Sequence, residues 1–163
     1  MQFKAGDRIV HPTYGVSEVV RLEERQLAEP NKRLYYVLTA DRSTVWVPVD
    51  ATGLRKLTTS TELEKGRSVL RGKPEELTPD HRERRLSISE SLKGGSFQTL
   101  CQVVRDLAAL SWRKSLGEAD ASLLKRARES LSREWAASSG IAVDEALAEV
   151  NALLLKARQT YES

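Results

Sequence analysis

The sequence predicts an α+β protein, with a small antiparallel β barrel or curled sheet over residues 1–57 and a bundle of about five helices over residues 58–163. Three observations carry this expectation. Short β-branched and aromatic runs, closely spaced and separated by turn residues, fill the chain up to Leu57. Beyond Leu57 the apolar residues recur three and four apart, which gathers them on single faces of helices. One of those stripes, between Ser96 and Leu116, is apolar enough to be the surface onto which the other helices pack.

The β segments are Ile9-Val10, Val16 to Leu22, Leu34 to Leu38 and Val45 to Val49. Pro12 with Gly15, Glu29-Pro30-Asn31 and Asp41-Arg42-Ser43 supply the turns between them. Within Thr44–Val49 the side chains alternate, so Val45, Val47 and Val49 share one face and Trp46 takes the other. With the valines inward, Trp46 is an interface anchor on the outer face. The alternative is that Trp46 closes a second, minor core beneath the helices.

The helices follow in order. Thr59 with Glu62 fits a capping box that opens a short helix to about Arg71, ended by Gly72 with Pro74 beyond. Thr78-Pro79 reads as N-cap and first helical residue of a second helix that ends at Gly94. The third carries Leu100, Val103, Val104, Leu107 and Leu110 in one stripe, is capped by Ser96, and stops at Gly117. The fourth, Ala119 to Ser138, aligns Leu124, Ala127, Leu131 and Trp135. The fifth, from about Ala142 to Tyr161, aligns Val143, Leu147, Val150, Leu154, Ala157 and Tyr161. No internal repeat or low-complexity segment interrupts this order.

Composition excludes several classes. Apolar residues at 40% are enough for a packed core, and no run approaches the ~18 apolar residues of a membrane span. The N-terminus enters a strand-like segment with no signal-peptide hydrophobic region, and the single Cys101 rules out an internal disulfide, so a soluble cytoplasmic protein is expected. The net charge of +3 is small, but Lys65, Arg67, Arg71, Lys73, Arg82, Arg84 and Arg85 cluster early in the helical half while acids prevail from Glu134 onward. Such polarity suits orientation on a polyanion, and it equally suits ordinary solvated faces.

Chemistry is hard to find. His11 and His81 are the only histidines and fall in different modules, so neither a catalytic dyad nor a metal set forms with Cys101, which reads as a small hydrophobe. Gly66 to Lys73 mimics a phosphate loop, but its glycines are misspaced and Pro74 stands where Ser or Thr is needed. The pairs Glu23-Glu24 and Glu75-Glu76 are adjacent and read as solvated. No enzyme, no cofactor and no metal are expected.

Phe3-Lys4-Ala5-Gly6-Asp7 and Ile9-Val10-His11-Pro12-Thr13-Tyr14-Gly15-Val16 resemble the opening of the CarD/CdnL family of bacterial transcription regulators. The resemblance continues through Leu34-Tyr35-Tyr36-Val37-Leu38, Val47-Pro48-Val49 and Gly53-Leu54-Arg55. In the helical half it is carried by Val103-Val104-Arg105-Asp106-Leu107 and by Leu124 to Leu131. It implies a Tudor-like RNA polymerase interaction domain at 1–57 and a helical DNA-binding domain at 58–163. The expected partners are the β-subunit lobe of bacterial RNA polymerase and promoter DNA at the upstream edge of the melted bubble, whose collapse the protein would slow. A related module occurs in the transcription-repair coupling factor, whose motor this chain has no room for. Localisation would be the cytoplasm, at the nucleoid through polymerase, with no membrane partner.

Residue by residue, Arg25 matches an arginine the family sets against the lobe, and Trp46 stands where other members carry an arginine on the same strand. His81 falls where the family carries a tryptophan that wedges into the minor groove. Imidazole can stack on a base or, protonated, meet a phosphate, with less area than indole. Arg84 matches a basic residue of the family's DNA face, with Arg82 and Arg85 beside it. The alternative function is a polymerase-binding adaptor with little DNA engagement.

Overall fold

The computed structural model describes residues 2–26, 31–93 and 95–162. The chain divides into two compact units, Met1–Leu57 and Thr58–Ser163. The turn expected at Glu29-Pro30 and the helix stop expected at Gly94 lie outside the described residues.

The first unit is one antiparallel sheet of β1 (Arg8–His11), β2 (Gly15–Arg25), β3 (Arg33–Ala40), β4 (Ser43–Pro48) and β5 (Arg55–Lys56), ordered β4-β3-β2-β1-β5. The two-residue β5, absent from the sequence expectation, pairs Arg55 with Val10 and Lys56 with Ile9. Asp41 bends the β3–β4 hairpin with a positive φ of 58°, a conformation its short polar side chain tolerates. The inner cluster is Phe3, Ile9, Val19, Tyr36, Leu38 and Val47, with Val45 and Val49 packed against it. The buried Tyr36 hydroxyl accepts the backbone N–H groups of Gln2 and Phe3 at 3.1 and 3.2 Å, which ties down the N-terminal segment.

A bulge in β2 has the largest consequence for the surface. Val19 pairs with Leu38 and Arg21 with Val37, so Val20 is an extra residue and the alternation reverses there. Before the bulge Ser17 and Val19 face inward; after it Leu22 packs on the inner cluster. Arg21, Glu23 and Arg25 therefore all point to the outer face, beside Val37, Tyr35 and Arg33 of β3.

The second unit contains α1 (Ser60–Leu70), α2 (His81–Lys93), α3 (Phe97–Arg113), α4 (Glu118–Ser139) and α5 (Val143–Tyr161). Its first residue is clasped: the Thr58 N–H donates to the buried Glu134 carboxylate at 3.1 Å and the Ser138 hydroxyl to the Thr58 carbonyl at 2.8 Å. The Thr59–Glu62 capping box forms as expected. Helix α3 is central, packing on each of the other four. It is buried on more than the expected stripe, with Phe97, Cys101, Arg105, Asp106, Ala108 and Ala109 enclosed as well. The adjacent Arg105 and Asp106 pair at 2.8 Å, and Asp106 also accepts the Glu75 N–H at 3.0 Å.

Three boundaries differ from expectation. Helix α3 ends at Lys114, which turns extended, while Gly117 instead opens α4 as its N-cap. Helix α2 begins at His81 rather than at Pro79, because the Asp80 carboxylate takes the Glu83 N–H at 2.9 Å and is the effective cap in place of Thr78. In α5 only Ala146, Val150, Leu154 and Ala157 are enclosed, so the ends of the expected stripe, Val143 and Tyr161, lie exposed. The core of this unit centres on Trp135, wholly buried, tilted against Phe97 at 6.2 Å with its N–H on Glu149 at 2.9 Å.

Two substitutions test the packing and the turn chemistry. A Cβ on Gly66 would lie 2.6 Å from the buried Phe97 ring and 3.0 Å from the Cys101 sulfur. The ~1 kcal/mol that alanine gains over glycine within a helix is then outweighed, and Gly66→Ala should destabilise the protein by about 1–3 kcal/mol in urea unfolding. In the β1–β2 turn, His11 Nδ1 accepts the N–H groups of Thr13 and Tyr14 at 2.9 and 3.1 Å. Burial pushes its imidazole down from the ordinary 6.5, and both hydrogen bonds favour the same neutral form. As pH falls through that value, the unfolded chain takes up a proton that the folded turn resists. Stability should therefore be full above it and decline below it. Urea unfolding at about pH 7.5 and about pH 5.5 should show this slope, and His11→Asn should reduce it.

Candidate polymerase and nucleic-acid interfaces

Trp46 and Arg25, far apart in sequence, meet on the outer face of the sheet. The Trp46 indole N–H donates to the Glu23 carboxylate at 2.6 Å, and the Arg25 guanidinium lies 4.7 Å from the centre of the Trp46 ring. To reach β2 from β4 the indole must lie across β3, where Val37 is its direct partner. Trp46 is half-buried and stands outside the inner cluster, as its alternation in the sequence requires. Glu23 also holds Arg21, at 3.6 Å. The reading of Glu23 as a solvated carboxylate is corrected by these two bonds. Its signal in the sequence is the row Arg21, Glu23, Arg25, charged at every second residue of a strand. Arg25 has the indole but no carboxylate among the described residues, so its donors are available to a partner.

Helix α2 presents the second surface. Arg82 and Arg85 are exposed along it, with the Arg85 Nε donating to the His81 carbonyl at 3.3 Å. His81 is exposed at the first turn. Its Nδ1 lies 3.4 Å from an Arg84 nitrogen and accepts from it, since a guanidinium only donates.

Arg84 itself is not on this surface, and its expected place on a DNA-facing side is corrected. It is 1% exposed and pairs with the equally buried Asp120 of α4 at 3.0 Å. Its remaining donors go to the carbonyls of Thr78 and Pro79 at 3.2 and 3.3 Å. A buried guanidinium needs a carboxylate and further acceptors, and this one has an acceptor at each of its three nitrogens. Charge and family resemblance pointed Arg84 outward; its position four residues before Ile88, the only other buried residue of α2, is the signal for an inward side chain. Arg67 is likewise committed, to Glu149 and Glu64 at 3.2 Å each, and over the Trp135 ring at 4.9 Å. Leu86, beside Arg85, is 61% exposed, the most exposed large apolar side chain described.

Among the described residues no group of His, Cys, Asp and Glu is arranged to hold a metal ion, and no helix is long and apolar enough to cross a membrane. What the geometry offers is two candidate surfaces: a sheet face bearing a fixed indole with a guanidinium stacked on it, and a helix bearing exposed cations.

Comparison with known proteins gives the family. The model of the CarD-like/TRCF RID domain matches residues 3–58, and that of the CarD C-terminal domain matches residues 67–151. A Bacillus subtilis (strain 168) protein, YdeB, named as a candidate transcription factor, is 28% identical over 145 residues, covering 85% of this chain and 94% of its own length. The chain belongs to the CarD family of transcription regulators, and its first unit is the Tudor-like domain of that family.

The buried pair yields a contrast that separates scaffold from surface. Arg84→Ala leaves the Asp120 carboxylate buried without its cation and should cost about 3–5 kcal/mol in urea unfolding. Arg82→Ala and Arg85→Ala, on the exposed side, should each stay within about 0.5 kcal/mol of wild type.

Proposed function

We propose that the protein bridges the β-subunit lobe of RNA polymerase and promoter DNA at the upstream edge of the bubble, and so stabilises the open complex. The observation that carries the reading is the Trp46–Arg25 pair on the outer face of the family's polymerase-interaction domain. An indole pinned at one edge and a guanidinium without a carboxylate are what a protein partner can use: an aromatic anchor, with a charge-assisted site beside it.

The DNA side rests on α2. Arg82 and Arg85 are placed for phosphate contacts, His81 stands at the helix start where a base or phosphate would be met, and no set of side chains among the described residues suits reading base edges. Binding to DNA alone is then weak, non-specific and steep in salt. An adaptor with little DNA engagement is favoured by one observation. Arg84 is withdrawn into the core, which leaves α2 with two exposed arginines in its first two turns.

Two measurements on the full chain test these faces. Trp46→Ala should weaken binding to the purified β-subunit lobe by about 2 kcal/mol, as removal of a central aromatic anchor does, and wild-type affinity in that variant would remove this face from the interface. Replacing Arg82 and Arg85 together by Ala should make the slope of log K against log salt on duplex DNA shallower by about two, roughly one for each phosphate no longer neutralised. An unchanged slope would favour the adaptor.

A further inference from the structure

Arg25 and Arg33 are direct cross-strand partners, the last pair of β2 and β3 before the segment that connects the two strands. Direct partners share a face, and like charges so placed repel and weaken a sheet. Neither arginine has an ion pair among the described residues, although each has donors enough for two carboxylates. Of the two acids in the paired part of that face, Glu18 lies beyond the bulge toward the far end of β2, opposite Thr39, and Glu23 is already shared between Arg21 and the Trp46 N–H. On this side of the bulge, among the described residues, three guanidiniums stand against one carboxylate: Arg25 is stacked on the indole and Arg33 lies directly opposite Arg25.

We infer that Arg25 and Arg33 together form a clamp for an acidic side chain of the protein partner, with Trp46 as its floor and Glu23 as the residue that positions that floor. The inference rests on the polymerase-binding reading of this face and adds Arg33, Glu23 and the chemistry of the partner group to it. A carboxylate entering between the two arginines accepts hydrogen bonds from both forks and removes their mutual repulsion. Glu23 acts through Trp46: its 2.6 Å bond fixes the edge of the ring, so the indole lies where the Arg25 guanidinium can stack on it. The partner site is therefore an exposed Asp or Glu flanked by apolar surface that can cover the indole.

The experiment uses the full chain and the purified β-subunit lobe. Arg33→Gln should bind the lobe roughly five- to tenfold more weakly, while its urea-unfolding midpoint stays equal to wild type or rises as the repulsion is relieved. Arg25→Gln should weaken binding at least as much, and the double variant by less than the product of the two effects, because both grip one group. Glu23→Gln keeps an acceptor for the indole and should bind nearly as wild type, whereas Glu23→Ala should weaken binding and shift the tryptophan emission. Unchanged affinity of Arg33→Gln, with Arg25→Gln or Trp46→Ala weakened, overturns the clamp and leaves the lobe interface standing. A change confined to DNA affinity overturns it in favour of a phosphate site. Failure of the wild-type chain to bind the lobe overturns the reading beneath it.

Discussion

A buried guanidinium has to be paired and fully hydrogen-bonded, and the position of α2 depends on how Arg84 meets that demand. The helix encloses only Arg84 and Ile88, far less apolar surface than its neighbours. Its first turn is fixed instead by the Arg84–Asp120 pair and by the bonds from the same side chain to the Thr78 and Pro79 carbonyls. Exchange of such a pair for apolar side chains need not cost stability, so its value here is one of position. It orients α2 so that Arg82, Arg85 and Leu86 turn to solvent together.

The sheet solves the matching problem without a buried charge. A single extra residue, Val20, reverses the alternation of β2 and turns Arg21, Glu23 and Arg25 outward. Glu23 then pins the Trp46 indole, Arg21 balances Glu23, and Arg25 rests on the ring. In both units an ion pair or charge-assisted bond fixes the element or side chain that presents the candidate face, and both faces keep arginines without a carboxylate among the described residues. The pinned Trp46 indole loses little freedom when a partner arrives, and rigid placement of this kind favours binding more than added area does.

Much of this was legible in the residues. The four longer strands, the capping box at Thr59, the stripe of α4 and the burial of Trp135 all follow from alternation, helical spacing and cap chemistry, which are local. What was missed is non-local. Strand β5 is two residues long and exists only because β1 offers it an edge. Arg84 looks like any surface arginine until Asp120, 36 residues later, is brought beside it. The outward side of Trp46 was readable from alternation, but its bond to Glu23 depends on a bulge that shifts the pairing by one residue. Gly117 carries the right chemistry for a boundary but opens α4 rather than closing α3, since glycine serves both as a stop and as an N-cap.

The central claim is that one chain must hold polymerase and DNA at once, and the decay rate of open complexes on a single promoter tests it most directly. Wild-type protein should slow the decay, and neither Trp46→Ala nor the Arg82→Ala, Arg85→Ala double variant should do so fully. A mixture of the two variants should not restore the effect, because each lacks one of the faces that must be joined. Decay that is unaffected by the wild-type chain, or rescued by the mixture, would contradict the account.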